Sequence, residues 1–304
     1  MKPLPLLLVA WIASAPACAA EFATLTLADA GVQVLRGITW YRADPGMRIE
    51  AGDIVQATDK AQFQFEFADG IVDGIGPVAL YAPPAGKNAP PAALDVRSGW
   101  LKTVARVDHE IVLKTPVATF FLGNGIIVVH AAADAAEVFV ESGTLRVREI
   151  DATGKEDAAA AALRAGEYWS RSAAKPGASQ TRASAAFVAA MPGIFKDALP
   201  VLADRYKGRS TMPGAERDIL YEEARPWLLG PYRKDFVKRF QPRLHDAAFR
   251  AEVDAHASDH PEWDRILHPD ESAEANRSSV PAADAVRPPI AATAKDPPRQ
   301  PATR

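Results

Sequence analysis

The chain has 304 residues, of which 48% are hydrophobic, so it can form one large hydrophobic core or two modest ones. Its 35 lysines and arginines nearly balance its 38 aspartates and glutamates, and the formal net charge is −3. A chain with so little net charge has no field to attract a polyanion, which argues against nucleic acid as a partner.

The first 20 residues have the pattern of a secretory signal peptide. Lys2 supplies one positive charge, residues 4–13 are apolar, and small residues follow at 15–20. This apolar run is shorter than the roughly 20 residues of a membrane span. We therefore expect a periplasmic or otherwise exported protein with no membrane span after cleavage. Cys18 is the only cysteine, and a lipid anchor there is an alternative; otherwise the mature chain has no thiol.

Residues 21–169 are predicted to form a β domain. Residues 62–67 alternate polar residues with phenylalanine, so one face of that strand should be buried and the other wetted, and Asp69-Gly70 should form a turn. Many short, closely spaced strands predict an all-β sandwich, jelly roll or roll-like solenoid. Tight turns are expected at the glycines of residues 70–76, and an exposed loop at the proline-rich residues 82–91. Further strands are predicted at 32–35, 38–41, 78–81, 94–97, 100–107, 110–114, 126–130, 137–141 and 144–150.

The second half of the chain changes character. Residues 170–190 lack an apolar period and are predicted to be a linker, whereas residues 191–268 show helical spacing and are predicted to form a small all-α domain. Residues 269–304 are rich in proline and alanine and should be disordered. The predicted fold class is thus multidomain, all-β followed by all-α. Helices are expected after Pro192 and at 215–229, 232–240 and 244–257, with a last turn at 262–267.

A set of turn and strand motifs over about residues 30–150 resembles the FecR domain. The motifs are Gly52-Asp53-Ile54-Val55, Phe63-x-Phe65-x-Phe67, Asp69-Gly70, Gly76-Pro77, Ser98-Gly99-Trp100-Leu101, Thr115-Pro116-Val117 and Glu141-Ser142-Gly143-Thr144-Leu145-Arg146-Val147. The resemblance implies a periplasmic β domain used for protein or envelope contacts. Family members that regulate iron uptake control a sigma factor through a cytoplasmic segment. We expect no such segment here, so the anti-sigma activity is not carried over. Residues 122–125 also depart from the Gly-Thr that the family usually has after its Thr-Pro motif.

The chemistry-bearing residues form no catalytic pattern, so we predict no enzyme, no catalytic residue and no cofactor. The glycines of residues 70–76 lead into a strand and not into a phosphate-binding helix, and no Gly-x-Ser-x-Gly motif occurs. His256 and His260 have the spacing of two zinc ligands on one helix face, but Pro261 interrupts the helix there. We expect no metal site, and keep a metal-binding or enzymatic role for these histidines as an alternative.

The predicted partner-binding residues are Arg233, Lys234, Lys238 and Arg239. Tyr232, Phe236 and Phe240 should share one helix face and leave the basic residues on others, where they could contact an anionic envelope polymer or an acidic partner. An ordinary solvated face is the alternative. The predicted function is an exported, non-enzymatic, FecR-like binding or scaffold protein of the cell envelope. A second hypothesis is a periplasmic sensor component of a FecR-type signalling system without its own anti-sigma segment.

Overall fold

The computed structural model describes residues 21–84, 92–106, 110–211 and 214–268. The predicted signal peptide, most of the predicted proline-rich loop and the predicted disordered tail lie outside these residues. The chain divides into two compact units between Phe249 and Arg250. Within the described ranges, no helix is both long enough and apolar enough to cross a membrane.

The first unit contains one hydrogen-bonded sheet of fifteen strands, counted over the described residues. The strands are β1 (Glu21–Ala28), β2 (Val32–Arg36), β3 (Thr39–Arg42), β4 (Arg48–Glu50), β5 (Ile54–Ala57), β6 (Gln62–Phe67), β7 (Gly70–Tyr81), β8 (Ala92–Ala105), β9 (Ile111–Lys114), β10 (Ala118–Ala131), β11 (Ala135–Glu149), β12 (Ala161–Arg164), β13 (Tyr168–Ser172), β14 (Lys175–Gln180) and β15 (Gly214–Asp218). The helices are α1 (Ala185–Ala190), α2 (Tyr221–Leu228), α3 (Arg233–Phe240), α4 (Ala247–Ala255) and α5 (Asp264–Leu267).

Four long strands change partners along their length, which divides the sheet into two sets of paired strands, called layers A and B below. Strand β7 pairs with β6 over residues 70–75 and with β5 over 78–81, and β8, β10 and β11 make similar changes near residues 99, 123 and 143. Layer A has the order β1-β6-β7-β8-β10-β11-β13-β14. Layer B has the order β15-β3-β2-β5-β7-β8-β9-β10-β11-β12. The strand β4 pairs with β1 at the edge of layer A.

Both layers contribute side chains to one hydrophobic core. Successive side chains of a strand point to opposite faces of the sheet, so alternate residues of a strand can enter this core. Layer A contributes Phe63, Phe65 and Leu101, and layer B contributes Val34 and Phe120, all of which are fully buried in one cluster. The prediction that the phenylalanines of residues 62–67 lie in the core is therefore confirmed for the first two.

The outer faces of both layers are also covered. Against layer B, the Tyr81 ring lies 5.1 Å from the Phe236 ring of α3 and 6.0 Å from the Trp227 ring of α2. On layer A, Val128 belongs to a second buried cluster with Phe187 of α1. Residues 126–129 show no polar alternation because both faces of this part of β10 are buried. Val128 is buried in the second cluster, on the outer face, and Val129 is buried in the main core.

Several local predictions are corrected. Strands β13 and β14 and helix α1 occupy most of the segment predicted to be a linker, because Trp169 is buried in the core and Tyr168 in the outer cluster. Residues 214–218 form β15 along the edge of β3, where a helix was predicted. The glycines of residues 70–76 lie within β7 and do not form separate turns. The predicted helix after Pro192 is instead two 3₁₀ turns, Gly193–Lys196 and Ala203–Tyr206.

Candidate binding site

A polypeptide segment, residues 193–206, crosses the outer face of layer A and is called the strap below. It consists of the two 3₁₀ turns and the irregular residues 197–202 between them. Helix α1 precedes it, and the Phe187 ring of α1 lies 5.0 Å from Trp100 and 5.2 Å from Tyr168. The strap is therefore held by an aromatic cluster on the side from which the chain enters.

Buried polar side chains of layer A bind the main chain of the strap. The ammonium group of Lys102 donates to the carbonyl oxygens of Phe195 at 2.6 Å and Asp197 at 2.9 Å. Gln64 Nε2 donates to the Pro200 carbonyl at 2.9 Å. In the fourth hydrogen bond the strap is the donor, since the Leu202 amide donates to Glu66 Oε1 at 2.6 Å. We call Gln64, Glu66, Asp73, Lys102 and Glu141 the polar groove.

Strand register brings these side chains together. The alternation of β6 places Gln64 on the outer face, with phenylalanines on the inner one. Gln64 lies opposite Asp73 of β7, and Asp73 lies opposite Lys102 of β8, so the three residues form a row across the layer. Glu141 of β11 closes the row with an ion pair to Lys102 at 2.9 Å.

Sequence reasoning missed this site. It predicted that the polar face of residues 62–67 is wetted, whereas Gln64 is 0% and Glu66 is 4% exposed. The local pattern of a strand with one polar face is the same whether water or another segment covers that face. The burial of Lys102 in the same layer also indicates that this face is covered. That burial cannot be recognised from the sequence.

Asp73 is the most perturbed acid of the groove. Burial raises the pKa of its carboxyl group to about 7, although a hydrogen bond from Gln62 and the charge of Lys102 act in the opposite direction. Gln62 Nε2 donates to Asp73 Oδ2 at 2.7 Å, while Oδ1 has no hydrogen-bond partner in the described part of the chain. The groove thus contains an acceptor that the strap does not use.

Asp73 should make the protein less stable as the pH rises. The ordinary pKa is 3.8, so the folded state holds the proton more tightly than the unfolded state between pH 4 and 7. We expect the free energy of unfolding to fall by roughly 3 kcal/mol over this interval because of this group. Asp73→Asn should remove that part of the slope in urea titrations at several pH values. Asp134→Asn, at an exposed turn, is the control, and an equal slope in wild type and Asp73→Asn would contradict the assignment.

Lys102→Met should release the strap. The change removes two bonds to strap carbonyls and the ion pair to Glu141. Trypsin can report the release, because Lys196 and Arg205 are exposed strap residues. We expect cleavage at these two sites to accelerate at least about tenfold, which corresponds to a loss of ~1.4 kcal/mol in local stability.

The matched control is Lys175→Met, at an exposed position of β14. Cleavage at Arg164 of β12 serves as the internal reference for global unfolding. If Lys102→Met accelerates cleavage at all three sites equally, the lysine stabilises the whole unit and not the strap.

The four predicted partner-binding residues occupy different environments on and beside α3. Lys234 and Lys238 are exposed and lie one helical turn apart, and Arg233 is half-buried. Arg239 faces layer B, where it donates to the carbonyl oxygens of Gly37, Leu35 and Gly52. The structure therefore places only Lys234 and Lys238 together on an open helix face.

The histidines of the predicted metal site lie in the second unit. Helix α4 ends at Ala255, so His256 and His260 do not share one helix face. His256 Nδ1 lies 2.9 Å from the carbonyl oxygen of Glu252, and His260 is buried beside the Trp263 ring. No group of three or more metal-ligating side chains occurs among the residues that the structure describes.

Comparisons with known proteins give a partial likeness in fold. No family model and no curated protein matches the chain. Two crystal structures of a candidate anti-sigma factor from Parabacteroides distasonis are similar, with 11% and 12% sequence identity and TM-scores of 0.35 and 0.36. Each match covers 42% of this chain and 59% of the other, so this chain spans less than two thirds of that protein's length. At these values the likeness carries no argument about activity or partners.

Proposed function

We propose that this protein is an exported, non-enzymatic binding or scaffold protein of the cell envelope that holds a polypeptide partner. One observation carries the proposal. Three buried side chains of layer A, Gln64, Glu66 and Lys102, form hydrogen bonds to main-chain atoms of an irregular segment, as a surface that binds polypeptide does.

The energetics favour a fixed binding surface. A lysine that is 2% exposed is costly to desolvate unless its hydrogen bonds are satisfied, and Lys102 satisfies them with Glu141 and two carbonyl oxygens. The row of side chains across three paired strands therefore has one arrangement, set by the sandwich beneath it. A rigid scaffold with directional groups on its surface is suited to recognition.

The exported location rests on the sequence. The N-terminal 20 residues support secretion, and the FecR-like motifs support a periplasmic β domain. The test of location is cell fractionation with N-terminal sequencing of the mature protein. A cytoplasmic protein that retains residues 1–20 would contradict this part of the proposal.

The test of function is site-specific photocrosslinking in intact cells. A photoreactive residue would replace Val201 on the strap, Lys238 on α3 or, as the control, Lys175 on β14, all of which are exposed. We expect a discrete adduct from one of the first two positions and not from Lys175. The captured protein or polymer must then bind the purified chain saturably. The proposal fails if neither position gives an adduct or if no captured component binds. A captured separate membrane protein would favour the sensor hypothesis.

A further inference from the structure

The strap leaves two hydrogen-bond acceptors of the polar groove without a donor. Gln64 donates through Nε2, but its Oε1 has no hydrogen-bond partner among the described residues, and the same holds for Asp73 Oδ1. Both side chains are almost fully buried, at 0% and 1% exposed. Buried acceptors without donors are costly, at about 1–3 kcal/mol each, and mark a site that another ligand could satisfy better.

The strap residue over Gln64 explains part of the mismatch. That residue is Pro200, which accepts a hydrogen bond through its carbonyl oxygen but has no amide hydrogen to donate. Any other residue at this position would have an N–H group close to Gln64. Pro200 therefore cannot donate a main-chain hydrogen bond to the free Oε1 of Gln64.

The strap is held by hydrogen bonds of its main chain and by the aromatic side chains of Phe195 and Tyr206, and the Tyr206 hydroxyl group donates to the Thr26 carbonyl oxygen at 3.4 Å. Phe195 is 0% exposed and lies in the outer cluster with Val128 and Tyr168. Its apolar neighbours along the strap remain open to solvent, Ile194 at 43% and Val201 at 62% exposed. Recognition of this kind needs an aromatic residue followed by an irregular main chain with free amide and carbonyl groups, and it tolerates many other sequences.

We propose that the polar groove binds an irregular segment of another polypeptide, with an aromatic residue in the position of Phe195, and that the strap occupies the groove in cis as its competitor. The inference rests on the proposed function and names the surface that binds the partner. In such an arrangement the strap keeps the groove from binding weak ligands, because a partner must first displace it. A partner with a non-proline residue over Gln64 has the advantage of one added donor.

A fluorescent peptide with the sequence of residues 192–206 tests the competence of the groove in trans. The proteins are the wild-type chain, Phe195→Ala, which weakens the resident strap, and Phe195→Ala combined with Lys102→Met, which disables the groove. We expect Phe195→Ala to bind the peptide at least about tenfold more tightly than wild type, since it lowers the cost of displacement. The added Lys102→Met should abolish this gain.

Two further peptides separate groove binding from non-specific adhesion. A peptide with Pro200→Ala should bind more tightly than the parent peptide, because it restores an N–H donor over Gln64. A peptide with Phe195→Ser should lose binding. Circular dichroism and thermal unfolding verify the fold of each protein, and Phe195→Leu, which preserves more burial, replaces Phe195→Ala if the latter does not fold.

The proposal is overturned if folded Phe195→Ala or Phe195→Leu shows no saturable binding, or if Lys102→Met leaves peptide affinity unchanged. Concentration-dependent dimers of Phe195→Ala in light scattering would also overturn it, because the occupant would then be the strap of a second copy. A discrete in-cell adduct at Lys238 together with a negative peptide assay would remove the groove and keep the broader binding function.

Discussion

Gly143→Ala should lower the free energy of unfolding by about 3–5 kcal/mol, a large part of the 5–15 kcal/mol that stabilises a typical domain. Gly143 lies where β11 changes partners between the two layers, and its φ of 81° is unfavourable for any side chain. A Cβ atom there would lie 1.8 Å from the carbonyl oxygen of Asn124, which is backbone of the adjoining bend in β10. Relief would require the two strands to separate at the bend.

The matched control is Gly154→Ala, because Gly154 has nearly the same φ, 82°, but open space around the Cβ position. This variant should lose only the backbone term of about 1–2 kcal/mol. Urea unfolding at one pH gives both differences. Equal losses at Gly143 and Gly154 would show that the close approach of β10 and β11 at this point does not limit stability.

The sequence predicted the β architecture where the signal is local. The period of two in β6 correctly assigned Phe63 and Phe65 to the core, whereas the glycines of residues 70–76 were predicted to form turns and instead lie inside β7. The positions of the glycines in the sequence could not distinguish a turn between two strands from a bend within one continuous strand. Gly76, for example, lies inside β7, and only the pairing of that strand with both β5 and β6 shows this.

The parts that were missed depend on segments far apart in the chain. Gln64 binds a carbonyl 136 residues away, so nothing near it in sequence indicates that it is covered. The residues of β15 are polar and show no period, and they form a strand because they meet the open edge of β3. Long-range contacts of this kind override the weak local preference of a polar segment.

Arg239 illustrates the same limit for the candidate partner surface. Helical spacing correctly put Phe236 and Phe240 on the buried face of α3, and it grouped Arg239 with the solvent-facing lysines. The guanidinium group instead lies over the two phenyl rings, 5.5 Å from Phe236 and 5.6 Å from Phe240. An arginine and a lysine look alike in a charge pattern, but only arginine has the planar set of donors that several carbonyls can share.

Arg239→Met should cost about 3 kcal/mol of unfolding free energy, the second large effect that we expect. Arg239 donates through Nε to Gly37 at 2.5 Å, through Nη1 to Gly52 at 2.5 Å and through Nη2 to Leu35 at 2.9 Å. Methionine retains much of the apolar contact with α3 but leaves these three carbonyl oxygens without their donor. Burial lowers the pKa of Arg239 to about 10, so the group remains charged at neutral pH and all three bonds are charge-assisted.

The adjacent Lys238→Met is the control, since Lys238 is exposed and should change stability by no more than about 0.5 kcal/mol. The chain has six tryptophans, so the difference in fluorescence between each variant and the same variant with Trp227→Phe isolates Trp227, whose ring lies 5.3 Å from Phe236, and reports whether α3 has moved from layer B. Arg239→Lys should show an intermediate loss, because an ammonium group cannot span three carbonyls in a plane. If Arg239→Met is as stable as Lys238→Met, the arginine does not anchor α3, and it returns to the set of side chains available to a partner. If the predicted loss is found, Arg239 has a structural role and leaves the set of predicted partner-binding residues.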